Sequence, residues 1–249
     1  MPSQARKLRV CALYPDLMNI YADRGNLIVL ERRCAWRGIG FQLNVCGMGE
    51  QLDSDGSDLF YLGGGQDRDQ LLCAADLVSF KRAALHRAAD RGAVVLGVCG
   101  GYQLLGHSYV VGEQEITGVG LVDVHTVRAA APRLIGNIAI EVQLEQQSPP
   151  RVLAGFENHG GRTHLGAHAE PLGRVLKGHG NDGTSGYEGV RRANVIGTYL
   201  HGPLLPKNAW FADWLIAAAL GVQPRDLGEL PDDELESQAH ASALRAAGM

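Results

Sequence analysis

The first half of the chain alternates short apolar runs with helical patterns that end at glycine. Apolar runs of this length predict strands, and nearly continuous ones predict strands buried on both faces. Strands that alternate with helices are typical of a parallel sheet with helices on both faces. We therefore predict an α/β fold with a mixed, mostly parallel sheet. The predicted strands of this half are residues 9–14, 41–46, 58–62 and 93–98, and the predicted helices are residues 26–37, 69–91 and 100–109.

The second half consists of short strand patterns separated by glycine turns, followed by a helix over residues 208–220. Asn208 is a suitable N-cap for that helix, and Gly221 is a suitable stop. Beyond residue 222 the chain is acidic and turn-rich, then alanine-rich, which favours either a frayed tail or a short surface helix. We predict one domain over residues 8–222 and an acidic C-terminal tail over residues 223–249. The strand patterns are residues 118–127, 136–144, 155–158, 174–177 and 195–200.

Charge and cysteine usage exclude several classes of function. The 249 residues carry 23 Lys and Arg against 27 Asp and Glu, which is not the basic footprint of a nucleic-acid-binding protein. The five cysteines are scattered without a C-x-x-C pair, so neither a disulfide framework nor a zinc ribbon is predicted. The apolar stretch at residues 214–222 is too short to span a membrane, and residues 1–9 lack the apolar core of a signal peptide. We expect a cytoplasmic protein.

The most specific feature is the G-x-C-x-G pattern at residues 97–101, between a predicted buried strand and a predicted helix. This is the cysteine form of a nucleophile elbow, in which glycines leave room for a nucleophile on a strained turn. The helix that begins after Cys99 directs its N-terminus at the sulfur, so we expect the thiolate to be favoured over the thiol. Structural burial is the better interpretation for the other cysteines, which are Cys11, Cys34, Cys46 and Cys73.

A cysteine nucleophile needs a base, and His201 is the best candidate among the nine histidines. It follows the predicted strand 195–200, so it should reach the sheet edge at which Cys99 lies. A histidine in a surface loop is the alternative interpretation. Four other histidines crowd one segment, but their spacing matches no ligand pattern, and we predict no metal site. These four are His159, His164, His168 and His179.

The glycine run at residues 63–65 follows the predicted strand 58–62. Exposed backbone N–H groups in such a loop can stabilise an oxyanion. A turn would explain the glycines alone, but beside the elbow we predict an oxyanion hole formed by the N–H groups of Gly64 and Gly100. The chain has no phosphate-binding G-x-x-x-x-G-K-[ST] loop, so we expect no cofactor in it and expect ATP on a partner subunit.

These three features, in this order, resemble the class I glutamine amidotransferases, whose domain is α/β and flavodoxin-like. Two later segments narrow the resemblance: F-E-N-H-G-G-R-T at residues 156–163 and G-T-Y-L-H-G-P at residues 197–203. With L-Y-P-D-L-M-N-I-Y at residues 13–21 and D-R-G-N at residues 23–26, they are similar to the cobyric acid synthase-like branch. Within that branch they resemble the GatD family, the glutaminase subunits of lipid II isoglutaminyl synthase. The resemblance covers residues 8–222.

The resemblance implies a role for each candidate residue. Cys99 would attack the side-chain amide of L-glutamine, and His201 would protonate the leaving ammonia. Arg133 would bind the substrate carboxylate, with a solvated loop charge as the alternative interpretation and Arg162 as the next candidate. The ammonia would pass to a MurT-type partner, a Mur-ligase-like synthetase subunit in a heterodimer. With ATP, that partner would amidate the D-glutamate α-carboxylate of lipid II to D-isoglutamine for peptidoglycan biosynthesis, at the inner face of the membrane.

One position departs from the wider class, in which an acid follows the histidine by two residues. Here that residue is Pro203, so the resemblance implies a Cys-His dyad. The His201 imidazole ring would then be oriented by Glu157 or by a backbone carbonyl.

Three other functions remain open: the glutaminase half of another amidating ligase, for example one acting on a corrinoid, a free γ-glutamyl hydrolase, and a non-catalytic binding module. The intact Cys99 and His201 argue against the last.

Overall fold

A computed structural model of the chain describes residues 6–20, 23–146, 148–230 and 233–249. Tyr21 of the opening motif and residues 231–232 of the predicted tail lie outside the described residues. The strands are β1 (Lys7–Leu13), β2 (Gly40–Cys46), β3 (Leu59–Leu62), β4 (Val94–Val98), β5 (Ser108–Val111), β6 (Gln114–Thr117), β7 (Val124–Arg128), β8 (Leu134–Val142), β9 (Arg151–His159), β10 (Gly161–Leu165), β11 (Gly173–Lys177), β12 (Tyr187–Glu188), β13 (Val190–Arg192) and β14 (Val195–Thr198). The α-helices are α1 (Arg24–Trp36), α2 (Asp67–Asp76), α3 (Arg82–Asp90), α4 (Gly100–Leu105), α5 (Ala209–Leu220) and α6 (Glu234–Ala246).

Six strands form the central sheet, in the order β13-β14-β4-β3-β1-β2. All neighbours in it are parallel except β13 and β14. Every residue of β3, β4 and β14 is buried, so both faces of the sheet are covered. Helices α1 and α5 pack together and contact β1, β2 and β4, and a second group, α3 and α4, also contacts β4. The predicted α/β fold with a mostly parallel sheet is confirmed, and the strand order of its parallel part is flavodoxin-like.

Two smaller sheets of four strands each extend from this core, in the orders β10-β7-β5-β6 and β12-β11-β8-β9. Their neighbours are antiparallel except β5 and β7. The predicted strand over residues 136–144 is present as β8, and the one over residues 155–158 is the end of the longer β9. The strand β10 was not predicted, because in the sequence its five residues resemble part of a glycine-rich loop.

The predicted helix over residues 100–109 is wrong in its second half. Helix α4 ends at Leu105, and the chain enters β5 at Ser108. The loop after β6 supplies the reason, because the N–H groups of Val119 and Leu121 donate to the carbonyls of Leu104 and Leu105 at 2.9 and 2.8 Å. This loop takes the place of another helical turn. It also separates β6 from β7, where a single strand over residues 118–127 was predicted.

The predicted helix over residues 69–91 is interrupted by a π-helical turn at Leu77–Lys81. Lys81 is fully buried and pairs with Asp76, whose carboxylate also accepts the Tyr14 hydroxyl at 2.6 Å. A buried charge needs such a partner, so the widened turn is coupled to this ion pair. Nothing in the local sequence pattern predicts it.

The C-terminal segment forms a surface helix rather than a frayed tail. No residue of α6 is buried, but its ends are held to the rest of the protein. The buried Arg33 pairs with Asp233 at 2.8 Å, and the Asn137 side-chain amide donates to the Ala246 carbonyl at 2.9 Å. Across the described residues, none of the helices combines the length and apolar character needed to cross a bilayer.

Candidate active site

The predicted elbow is present at the end of β4. Cys99 has φ +53° and ψ −107°, a strained conformation for a residue with a side chain. A Cβ added to Gly97 would lie 2.7 Å from the Leu105 side chain, and one added to Gly101 would lie 2.1 Å from the Leu62 carbonyl oxygen. The glycines of the G-x-C-x-G pattern are therefore required by space.

The Cys99 thiol lies at the wall of a cavity of about 420 Å³. The side chain is only 6% exposed, and burial raises the pKa of the thiol to about 12. The nearby Asp23 raises this pKa further, whereas the Gly100 N–H and the Arg133 guanidinium lower it. Desolvation therefore exceeds the effect of the helix N-terminus, and the expectation of a favoured thiolate is wrong for this structure. The sulfur is a thiol that needs a proton acceptor.

His201 leaves the neighbouring strand at the same edge of the sheet. β14 pairs in parallel with β4, and the Cys99 N–H donates to the Thr198 carbonyl at 2.8 Å. The backbone N–H of His201 donates to the Phe156 carbonyl at 3.0 Å, which fixes this residue against β9. Burial lowers the pKa of His201 to about 4, and the electrostatic effects of His159, Lys207 and Arg133 add to this shift. The imidazole is therefore neutral near pH 7 and able to accept a proton.

The cavity brings together residues from several separate segments of the chain. Cys99 and the predicted Arg133 both line it, whereas His201 is fully buried and is not among the lining residues. Its mixed polar lining suits a small, charged ligand better than an apolar one. The lining residues are Ile20, Gly65, Gln66, Asp67, Arg68, Gln70, Cys99, Gln103, Tyr109, Arg128, Arg133, His159 and Gly160.

Arg133 lies at the exposed rim of the cavity, held by Asn158. Its Nε donates to the Asn158 Oδ1 at 2.7 Å, and its Nη2 donates to the Asn158 carbonyl at 2.6 Å. The guanidinium keeps further N–H groups for a ligand. Arg128 also lines the cavity, where it pairs with Asp67. Arg162, the second candidate from the sequence, is not among the lining residues and donates to the backbone carbonyls of Pro132 and Gly160.

In the glycine loop, the Gly64 N–H that was predicted for the oxyanion hole has a partner inside the protein. The Gly64 N–H donates to the Asp23 Oδ2 at 2.6 Å, so it is engaged inside the protein. Gly65 lines the cavity instead. A Cβ on Gly100 would lie 2.9 Å from the Gly65 nitrogen, so the backbones of these two residues are in close contact. Gly65 therefore joins Gly100 as a candidate for the oxyanion hole.

Sequence reasoning did not assign a role to His159, which lines the cavity. Its ring stacks on Tyr199 with centroids 3.6 Å apart, and its Nδ1 lies 2.8 Å from the Gly161 carbonyl oxygen. Glu157 lies behind it, with a carboxylate oxygen 3.9 Å from the His159 Nε2. The Glu157 carboxylate accepts the N–H groups of His179 and Gly180 at 2.7 and 2.9 Å, so this acid fixes a neighbouring loop. The signal was available, since both residues lie in the segment 156–163.

Residues 9–209 match the CobB/CobQ-like glutamine amidotransferase domain. The chain belongs to this family. It is 36% identical to the lipid II isoglutaminyl synthase (glutamine-hydrolyzing) subunit GatD of Staphylococcus aureus strain N315 over 239 residues, 94% of this chain and 93% of that one. It is 36% identical to the GatD subunit of Streptococcus pneumoniae R6 over 215 residues, 86% and 81% of the two chains. The resemblance inferred from the motifs is confirmed.

A more distant relative of this amidotransferase is the cobyric acid synthase of Pelotomaculum thermopropionicum. The two are 37% identical over 206 residues, but the match covers 79% of this chain and only 37% of the synthase. Among solved structures, PurLQS from Thermotoga maritima has a TM-score of 0.59 at 19% identity, over 96% of this chain and 99% of that one. The glutaminase domain of Trypanosoma brucei CTPS with bound acivicin has a TM-score of 0.50 at 13% identity, over 90% and 96%. These likenesses support the fold.

Proposed function

We propose that this amidotransferase is the glutaminase subunit of a lipid II isoglutaminyl synthase, which hydrolyses L-glutamine to glutamate and ammonia. The observation that carries the proposal is the Cys99 thiol, placed on a strained elbow at the wall of a polar cavity that Arg133 also lines. The choice of lipid II rests on the two GatD relatives, which align with this chain over most of their length.

The first half of the reaction forms a thioester. The neutral His201 accepts the Cys99 thiol proton as the sulfur attacks the side-chain amide carbon of glutamine. The carbonyl oxygen becomes an oxyanion, and the N–H groups of Gly65 and Gly100 stabilise it. The protonated His201 then donates its proton to the amide nitrogen, the carbon–nitrogen bond breaks, and ammonia leaves. Burial of the histidine favours this return of the proton, because it destabilises the imidazolium.

The second half hydrolyses the thioester. His201 accepts a proton from a water molecule that attacks the thioester carbonyl, and the same backbone groups hold the oxyanion. The carbon–sulfur bond breaks, the proton returns to sulfur, and glutamate leaves. Arg133 holds the α-carboxylate of the substrate throughout, because a guanidinium matches a carboxylate in geometry and charge. The Asp67 carboxylate also lies in the lining, where it accepts the Tyr109 hydroxyl at 3.1 Å and pairs with Arg128.

Ammonia needs an activated acceptor, so the proposal includes a second subunit. A MurT-type, Mur-ligase-like synthetase would bind ATP and lipid II and activate the D-glutamate α-carboxylate. Ammonia in bulk water is rapidly protonated, so the sheet edge that carries Cys99 and His201 would have to dock against that subunit. The glutaminase itself needs no cofactor for the two steps described above.

Reconstitution with the synthetase tests this function. The chain and a co-expressed Mur-ligase-like partner are expected to amidate the D-glutamate of a muropeptide with glutamine and ATP. The complex with Cys99→Ser should lose the glutamine-dependent reaction and keep the reaction with high concentrations of ammonium, because free ammonia bypasses the thiol. Failure of ammonium to restore amidation, while the partner still binds ATP, would show that Cys99 does not supply nitrogen.

The cobyric acid synthase relatives favour a second candidate, the glutaminase of a corrinoid-amidating ligase. The same reconstituted complex separates the two candidates when it is given a corrinoid acid in place of the muropeptide. Amidation of the corrinoid alone would replace lipid II as the acceptor and leave the glutaminase chemistry unchanged.

A further inference from the structure

A second group of potential ligands lies outside the cavity, on the sheet that contains β5 and β7. His107 precedes β5, His125 lies in β7, and Asp123 lies in the turn before β7. One ligand atom from each of these residues lies within 4.8 Å of the others. The two imidazole rings stack with centroids 4.9 Å apart, and the His107 Nε2 is 3.3 Å from the Asp123 Oδ1. Ligand atoms on a tetrahedral zinc ion, with bonds of about 2.0–2.1 Å, are separated by about 3.3 Å.

Hydrogen bonds from outside the cluster orient Asp123 and His125, as outer contacts do in metal sites. The Asp123 Oδ2 accepts the His168 N–H at 3.1 Å, which leaves Oδ1 directed at His107. The His125 Nδ1 lies 3.2 Å from the Ser108 Oγ, so its Nε2 is left for a ligand. Metal-binding histidines commonly use their second ring nitrogen in this way, and ligating carboxylates are hydrogen-bonded in turn. Both histidines are exposed, so an ion can enter from solvent.

We propose that His107, Asp123 and His125 form a binding site for a divalent transition-metal ion, with Zn²⁺ the best match. Two imidazoles and one carboxylate suit zinc and its neighbours in the first row, whereas Mg²⁺ and Ca²⁺ prefer oxygen ligands. The fourth position remains open to water. The sequence pattern did not indicate this site, because its ligands lie outside the histidine-rich segment 159–179 and the first two are 16 positions apart.

The ion would brace one wall of the cavity. Ser108 of β5 lies opposite His125 of β7 in the parallel register of the two strands. The same strands carry Tyr109 and Arg128, which line the cavity. An ion held by His107 and His125 would fix these strands against each other. It takes no part in the hydrolysis steps, so the site is independent of the proposed function.

A titration of the untagged, metal-free chain with ZnCl₂ by calorimetry tests the site. We expect saturable binding of a single ion per chain, and His107→Ala and His125→Ala should each weaken it by on the order of tenfold or more. His164→Ala is the matched control, since this exposed histidine lies opposite His125 on β10 but outside the cluster. The titration is repeated with Cys99→Ser, because a cavity thiol could also bind zinc.

Thermal melting provides a second readout that also reports folding of each variant. Zn²⁺ should raise the melting temperature of the wild-type chain and of His164→Ala, and should leave that of His107→Ala unchanged. MgCl₂ at the same concentration should have no effect. The proposal is overturned if no saturable zinc binding occurs, if Cys99→Ser abolishes it, or if all three histidine variants lose affinity equally.

Discussion

The Asp23 carboxylate accepts a hydrogen bond from the Gly64 N–H at 2.6 Å, beneath the loop that faces the Cys99 thiol. Its other oxygen, Oδ1, is buried with no hydrogen-bond partner among the described residues. Burial raises the pKa of Asp23 to about 7, against about 4 for an unfolded aspartate. The folded state therefore retains a proton that the unfolded state has already released. The contribution of Asp23 to the free energy of unfolding is therefore greatest below about pH 4, and it is lost as the pH rises from about 4 to about 7.

Asp23→Asn should remove this pH dependence, because the asparagine oxygen can still accept the Gly64 N–H and the side chain cannot ionise. The free energy of unfolding of the variant, relative to wild type, should increase by about 2–3 kcal/mol from pH 5 to pH 8. Urea unfolding at the two pH values measures it. Asp16→Asn, at an exposed aspartate of the same N-terminal region, should show no such change. Equal behaviour of the two variants would contradict the buried, protonated state of Asp23.

Cys99→Ser should abolish glutamine hydrolysis without a change in melting temperature. Serine fits the same strained site, but its hydroxyl is a poor nucleophile for the base available here. An electrophilic glutamine analogue followed by mass spectrometry identifies the reactive sulfur in the wild-type chain. Cys73→Ser, at another buried cysteine, is the control and should retain activity and labelling. A label on any cysteine other than Cys99 would refute the assignment.

His201→Ala should lower kcat by about 10²–10⁴-fold, the usual contribution of a positioned acid–base group. Since the pKa of His201 is lowered to about 4, the neutral base persists in acid, and kcat/KM should begin to fall only below about pH 5. His159→Ala is the informative comparison, because this ring lines the cavity. A near-normal rate for His201→Ala together with a large loss for His159→Ala would make His159 the base.

Arg133→Ala should raise the KM for glutamine and change kcat much less, because a carboxylate clamp acts on ground state and transition state alike. Steady-state kinetics over a wide range of glutamine concentrations separates the two constants. Arg162→Ala tests the other candidate and should raise KM less, since that side chain is not in the lining and donates to the backbone carbonyls of Pro132 and Gly160. An unchanged KM for Arg133→Ala would direct attention to Arg128, the other arginine of the lining.

The central sheet and the elbow could be predicted from the sequence because their signals are local. A strand buried on both faces is apolar throughout, as β4 is, and the strained Cys99 needs small neighbours. Each of these two patterns lies within one short segment, so it can be recognised without knowledge of the tertiary structure. The glycine loop, the elbow and His201 each follow a predicted strand. Since parallel strands end on the same side of their sheet, the sequence also predicts the edge at which these groups meet.

Contacts between distant segments decided the rest. The Gly64 N–H, which was predicted for the oxyanion hole, instead donates to Asp23, 41 residues earlier in the chain. Burial, which only the packed structure creates, raises the thiol pKa that the helix N-terminus was expected to lower. Helix α4 ends early because a loop from residues 118–122 occupies its terminal carbonyls. A sequence records which groups can bond locally, whereas desolvation and long-range hydrogen bonding depend on which surfaces the folded chain brings together.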